Sequence, residues 1–157
     1  MAAGWLKGSV RVFDSSDFRE GNTSPPKKEL QLGAGTLTSG ALCFSDTYLL
    51  GGSAKSSPSV VKLWSLDDLD KEHERVIEFQ SPVQALAVAP GEVSFAVGTE
   101  DGAVRIYSGM LDKLPWLLKP PDTPDDTEKK GAVSSLVYSP VASTVGAGQE
   151  ALFVVQF

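Results

Sequence analysis

Residues 98–108, with the sequence GTEDGAVRIYS, decide the fold of this chain. An Asp-Gly pair between two strand-like runs is the strongest short-range signal of a β-hairpin. Gly102 supplies the positive φ that such a turn needs, because it has no Cβ that would clash. Asp101 is expected to accept hydrogen bonds from its own turn. The stretch therefore predicts two antiparallel strands joined at Asp101 and Gly102.

The same pattern recurs along the chain. The sequence VRIY at 104–107 is matched by VRVF at 10–13 and VKLW at 61–64. Residues 146–155 match the longer stretch 98–107 more loosely. The aligned positions hold Phe13, Trp64 and Tyr107, with Val155 at the fourth place. A second landmark, an apolar strand-like run, keeps the same order at 41–45, 83–90 and 133–140. A repeat of about 40–50 residues with several strands per unit predicts a propeller or a similar array.

These repeats resemble WD-repeat β-propellers, in which each blade is a four-stranded antiparallel sheet. The third strand of a blade in that family often ends in Trp-Asp; here Trp64 and Tyr107 stand at the tryptophan's place, and each is followed by serine. Asp101 matches the turn aspartate of the family's hydrogen-bonded tetrad, whereas the family's Gly-His pair is absent. The resemblance implies an all-β fold of β-propeller blades, and no helical periodicity competes with it, so we predict almost no helix.

The order of strands and loops predicts how the blades divide the chain. The end of one blade covers 1–32, a blade covers 36–80, a second blade covers 82–119, and an incomplete blade covers 132–157. This makes about three to four blades in an incomplete ring, since closed propellers have about 4–8. Three explanations stay open: the sequence is a piece of a longer chain, two copies complete one ring, or another protein supplies the missing blades.

Composition narrows the classes of partner. The 157 residues are 41% hydrophobic and 22% charged, which is ordinary for a globular chain. The net charge of −6 argues against nucleic acid as the main partner. No apolar run approaches the roughly 20 residues of a membrane span. The single cysteine suits a reducing compartment, so we expect an intracellular protein of the cytoplasm or nucleus.

No residue pattern indicates catalysis, a metal site or a cofactor. One histidine, His73, and one cysteine, Cys43, cannot make a zinc ligand set. The acidic pairs at 67–68 and 125–126 lie in predicted loops, where solvated charge is the simpler explanation. We therefore predict that the protein is not an enzyme.

The resemblance implies a scaffold that binds other proteins through loops at one face of the propeller, within a multi-subunit complex. The residues expected to be exposed on that face are Lys55, Ser81, Thr99, Glu100 and Lys130. Four other residues are expected to be structural: Trp64, Asp101, Gly102 and Tyr107. The alternative is a structural segment that completes a larger assembly by strand pairing at open edges at 10–13 and 151–157.

Overall fold

The computed structural model describes residues 2–5, 9–13, 25–32, 41–44, 47–53, 58–70, 75–89, 94–108, 115–118, 131–138 and 152–156. The regular secondary structure in these residues consists only of β-strands, as predicted. In chain order the strands are β1 (Ala2–Trp5), β2 (Ser9–Val12), β3 (Lys28–Gln31), β4 (Ala41–Phe44), β5 (Tyr48–Gly52), β6 (Ser59–Ser65), β7 (Arg75–Phe79), β8 (Val83–Val88), β9 (Ser94–Thr99), β10 (Val104–Ser108), β11 (Trp116–Leu118), β12 (Val133–Tyr138) and β13 (Leu152–Gln156). The described residues contain no helix long and apolar enough to cross a membrane.

The strands form four antiparallel sheets. Sheet one has the order β1-β2-β3, sheet two β4-β5-β6-β7, sheet three β8-β9-β10-β11, and sheet four β12-β13. Alternation of apolar and polar residues sets the two faces of a strand: β6 buries Val61 and Leu63 and leaves Val60 and Lys62 partly exposed. Sheets two and three have the four strands predicted for a blade.

Sheets one to three align strand by strand. In each, a valine in one strand lies opposite a glycine in the strand before it: Val10 and Gly4, Val61 and Gly52, Val104 and Gly98. Val61 and Val104 lie in the third strands of sheets two and three, so β2, which contains Val10, corresponds to a third strand. The strands β1 and β3 then correspond to the second and fourth strands. The strands β8 and β12 also correspond, because both have a register shift after their first residue.

The predicted position of Val155 in its sheet is wrong. Val155 lies opposite Ser135 in β12, as Gly98 lies opposite Ala85 in β8, so it belongs to a second strand and not to the third-strand place of Tyr107. Alternating apolar residues fit any strand of a sheet, and only the pairing distinguishes them.

The strand at 10–13 is not an open edge. It forms β2, and it has β1 on one side and β3 on the other. The reason is that residues 2–5 pair fully with residues 9–12, from Ala2 opposite Val12 to Trp5 opposite Ser9. The edges of sheet one are therefore β1 and β3.

Successive sheets pack face to face through three apolar clusters. Between sheets one and two lie Val10, Val12, Leu30, Leu32, Leu49 and Trp64. Between sheets two and three lie Leu50, Val61, Leu63, Phe79, Val83, Leu86, Phe95, Val97 and Tyr107. Between sheets three and four lie Ala85, Ala87, Ala89, Ala96, Val104, Val133, Leu136 and Tyr138. Burial of these faces drives the stacking of the sheets in chain order.

A glycine in the second strand controls how closely the next sheet approaches. A Cβ placed on Gly52 lies 2.5 Å from Cγ1 of Val83, and one placed on Gly98 lies 2.8 Å from Cβ of Val133. Both distances are shorter than carbon atoms tolerate. The absence of a side chain at these two positions is therefore what lets the valine at the start of the next sheet enter.

Cationic side chains also connect successive sheets. Lys62 in sheet two donates a hydrogen bond of 2.9 Å to the carbonyl of Gln31 in sheet one. Arg105, at the equivalent place in sheet three, lies 5.4 Å from the ring centroid of Phe79 in sheet two. The guanidinium of Arg75 lies 5.0 Å from the ring of Tyr107 in the next sheet. In each case a third strand contacts the outer strand of the preceding sheet.

Candidate functional site: the hairpin surface of sheet three

The turn between β9 and β10 has the predicted geometry. Gly102 has a φ of 79°, and its N–H donates to the carbonyl of Thr99 at 3.1 Å. The Thr99 N–H donates to the carbonyl of Ala103 at 3.0 Å and closes the loop. The three loop residues between them place glycine in the left-handed region, a common form of three-residue hairpin.

The Thr99 hydroxyl and the Asp101 carboxylate hold this turn together from inside. The hydroxyl lies 2.5 Å from Oδ1 of Asp101 and 2.9 Å from the carbonyl of Ala103, and it donates its one proton to either acceptor. Oδ1 of Asp101 also accepts from the N–H of Ala103 at 3.3 Å. Arg105 donates to the Thr99 oxygen at 3.4 Å. Asp101 therefore has the structural role that the sequence predicts.

These contacts change the acidity of Asp101. Burial raises the pKa of its carboxyl, but the hydrogen bonds from Thr99 and Ala103 and the charge of Arg105 outweigh that effect, so the pKa lies below its ordinary value of 3.8. The carboxylate therefore remains ionised at neutral pH.

The loop that connects sheets two and three is fixed to the hairpin. Ser81 accepts a hydrogen bond from the N–H of Asp101 at 3.1 Å, and Pro82 accepts one from the N–H of Glu100 at 2.9 Å. Four residues with exposed or partly exposed side chains thus lie together on two connected loops; we call them the hairpin surface: Gln80, Ser81, Glu100 and Asp101. The turn between the second and third strands of sheet three therefore meets the connection between sheets two and three at one end of the sheets.

The structure separates the residues predicted to bind. Glu100 is exposed and Ser81 is partly exposed. The prediction that Thr99 is exposed is wrong. Thr99 is 0% exposed, because its hydroxyl points inward to Asp101 and Ala103. Lys55 and Lys130 lie outside the described residues.

The predicted structural aromatic residues are buried. Trp64 is 1% exposed and lies in the cluster between sheets one and two. Tyr107 is 3% exposed and stacks on Phe95 with ring centroids 4.6 Å apart. Burial raises the pKa of the Tyr107 hydroxyl, although the charges of Arg75 and Arg105 partly oppose this.

Two residues of the network were not predicted. Arg105 supports Thr99, and its place in the repeat holds Arg11 and Lys62 in the other sheets, so the recurring cation was a usable signal. Pro82 contributes only a carbonyl, for which no side-chain pattern exists.

Two adjoining cavities of about 240 and 310 Å³ lie beside β3, and each is lined by both lysine and carboxylate side chains. In these walls Lys28 forms an ion pair of 2.7 Å with Asp70. The hydrogen bond from Lys28 and its charge lower the pKa of Asp70. No group of three potential metal ligands occurs in the described residues. His73 lies outside them, as does the side chain of Cys43.

Acid is expected to weaken the hairpin through Asp101. Because the folded-state pKa of Asp101 is lowered, its contribution to stability is complete above the unfolded pKa of about 4 and is lost as the pH falls through the folded value. The free energy of unfolding of the Asp101→Asn variant should therefore depend less on pH below about 4 than that of the wild type. Urea titrations at several pH values test this. An identical pH dependence in both proteins would contradict it.

Comparisons with known proteins concern the fold. No family model and no curated protein matches the chain. The chain is similar to the β-propeller domain of Cps50 (Swd1) from Myceliophteria thermophila, a crystal structure, with 21% identity and a TM-score of 0.64. The match covers 88% of this chain and 41% of that chain. The WD-repeat family stays a prediction, because this likeness bears on the fold alone. The chain has an all-β fold whose sheets are arranged as in a β-propeller.

Proposed function

We propose that this chain is part of a non-catalytic β-propeller that holds partner proteins on its hairpin surface. The observation that carries this proposal is the rigid presentation of Glu100 and Ser81 on two loops that hydrogen-bond to each other. Loops positioned by a rigid scaffold are the usual place for binding residues. The turn is fixed before a partner arrives, so little conformational entropy is lost on binding.

Charge indicates the kind of partner. Glu100 is an exposed carboxylate at the tip of the hairpin. The carboxylate of Asp101, whose Oδ1 is hydrogen-bonded to Thr99 and Ala103, adds a second negative charge there, and its lowered pKa favours the ionised form. Such a surface favours a basic segment of a protein over nucleic acid, because the phosphate backbone would be repelled. Lys55 and Lys130 remain proposed contributors to the same face. A multi-subunit complex of the cytoplasm or nucleus is the setting that we propose, which suits a chain with one cysteine.

Quantitative affinity purification with a charge-reversal variant tests the proposal. Tagged wild-type chain and the Glu100→Lys variant are compared by mass spectrometry of the proteins that they retain. The control is Asp67→Lys, which makes the same change of charge at an exposed residue of another loop, next to Ser65 at the end of β6. We expect specific proteins to be lost with Glu100→Lys and retained with Asp67→Lys. Retention of the same proteins by all three chains would refute the hairpin surface as the binding site.

A further inference from the structure

The outer strand of sheet three exposes large apolar side chains on the face that the other outer strands pack against the next sheet. Trp116 is 74% exposed and Leu118 is 50% exposed. The strand β11 has the sequence WLL, whereas β3 (KELQ) and β7 (RVIEF) both contain charged residues. Natural proteins usually place charge on such edges to prevent association. An uncharged apolar edge therefore indicates a surface that is covered by something else.

The equivalent positions in the other sheets show what kind of element covers them. Leu118 lies opposite Val104, as Leu30 lies opposite Val10 and Ile77 opposite Val61. Leu30 is only 4% exposed, and Ile77 is partly buried. In both cases the cover comes from the next sheet along the chain, in clusters that include its third-strand aromatic residue, Trp64 or Tyr107.

Trp116 occupies the place of another interface residue. It lies opposite Ile106, as Arg75 lies opposite Leu63. The Arg75 guanidinium lies against the ring of Tyr107 in the third strand of the next sheet. The element that covers β11 should therefore be a third strand carrying an aromatic residue at the place of Tyr107. The described part of sheet four consists of β12 and β13, its first and second strands.

The chain contains such a strand in β2 and the residue after it. Val10 and Val12 face sheet two, so Arg11 and Phe13 lie on the opposite face. In the repeat, Arg11 aligns with Lys62 and Arg105, the two cations that reach the preceding outer strand.

We propose that sheet one of a second copy of this chain covers β11, with Phe13 of that copy against Trp116. This surface is separate from the hairpin surface, so the proposal goes beyond the proposed function. The contact is head-to-tail, because it joins the side of β2 to the side of β11. Sheet one of one copy and sheet four of the other then share a blade position. Two such contacts close a ring of about six blades, within the range of about 4–8 that closed propellers have.

The shared blade assigns a place to β1. Both β1 and β13 correspond to a second strand, so β13, which pairs with β12 in this structure, has to leave β12 before β1 of the second copy can take its place. At the position of Gly52 and Gly98, β1 has Gly4 and β13 has Val155. Gly4 of β1 therefore resembles Gly52 and Gly98, the second-strand glycines of the sheets on which a following sheet packs closely.

Light scattering and sedimentation equilibrium of the 157-residue chain test the proposal. We expect a dimer in the wild type. The double substitution of Trp116→Glu and Leu118→Glu should raise the dimer dissociation constant at least about tenfold, as expected for a buried aromatic anchor. Arg11→Glu should also weaken the dimer. Because Arg11 forms an ion pair of 3.5 Å with Glu29 in sheet one, Glu29→Gln, which breaks that pair alone, is its control and should leave the dimer intact. The control Leu117→Glu changes a residue that is 45% exposed on the opposite face of β11 and should leave the dimer intact. Circular dichroism confirms that each variant retains its strands.

Mixing identifies the head-to-tail arrangement. The Trp116→Glu variant and the Arg11→Glu variant should form a mixed dimer, because one of the two contacts then has both surfaces intact. A chain that is monomeric at every concentration would overturn the proposal. A dimer that is lost with Trp116→Glu and unaffected by Arg11→Glu would overturn it too, because β11 of one copy would then contact β11 of the other. The Glu100→Lys variant should remain dimeric, which separates this result from a failure of the proposed function.

Discussion

Replacing Trp64 with alanine is expected to lower the free energy of unfolding by about 3–5 kcal/mol. The indole is 1% exposed and packs among Val10, Leu30 and Leu49 between sheets one and two. Its loss removes the apolar contacts of a large side chain and leaves a cavity that neighbouring strands fill only in part. Urea unfolding followed by far-UV circular dichroism measures the effect, since the signal from the strands does not depend on the missing indole.

The matched control is Trp116→Ala. This indole is 74% exposed, so its removal from the isolated chain should change the free energy of unfolding by about 0.5 kcal/mol or less. Both variants are measured at a dilution where the unfolding midpoint no longer depends on protein concentration. A loss smaller than about 1 kcal/mol for Trp64→Ala would contradict its burial between the sheets.

The strands were predictable because each repeat combines a local signal with a periodic one. Strand alternation and the turn at Asp101 and Gly102 identify the elements, and the spacing of Trp64 and Tyr107 identifies the repeat. The assignment of Val155 failed for a physical reason. An alternating apolar strand fits several places in a sheet, and its pairing with β12 is decided by tertiary contacts that the sequence does not display.

The hairpin surface was predictable in part. Glu100 and Ser81 follow from the position of the turn and of the connection between sheets. Thr99 did not, because a threonine next to a turn is compatible with either solvent or an internal acceptor. The hydrogen bonds of its hydroxyl to Asp101 and Ala103 decide for the interior.

The close approach of successive sheets was not predictable from composition. Gly98 lies in a strand interior, where glycine costs conformational entropy and offers no side chain to pack. Its reason lies in another sheet, at Val133 and Leu136. Gly52 has the same relation to Val83 and Leu86, so the contact repeats along the chain. These glycines are needed because the next sheet packs closely against them, and that contact is not visible in the sequence of one repeat.

Replacing Gly98 with valine is therefore expected to cost about 3 kcal/mol, at the upper end of overpacking effects. A Cβ at this position lies 2.8 Å from Cβ of Val133 and 3.2 Å from Cδ1 of Leu136. Val133 lies on a backbone that is paired in sheet four and is 0% exposed, so it cannot move aside without shifting that sheet. The free energy of unfolding in urea measures the cost.

A double-mutant cycle separates this clash from a general loss of the strand. Val133→Ala removes Cγ1, the atom of Val133 that lies nearest to the new side chain, and leaves Cβ, so its cost and that of Gly98→Val should add only in part. We expect a coupling energy of about 0.5–3 kcal/mol that favours the double variant. Val10→Ala, which removes methyl groups between sheets one and two, is the control and should add to Gly98→Val within about 0.5 kcal/mol. Additive costs for Gly98→Val and Val133→Ala would mean that the glycine is needed by its own strand and not by the sheet that packs against it.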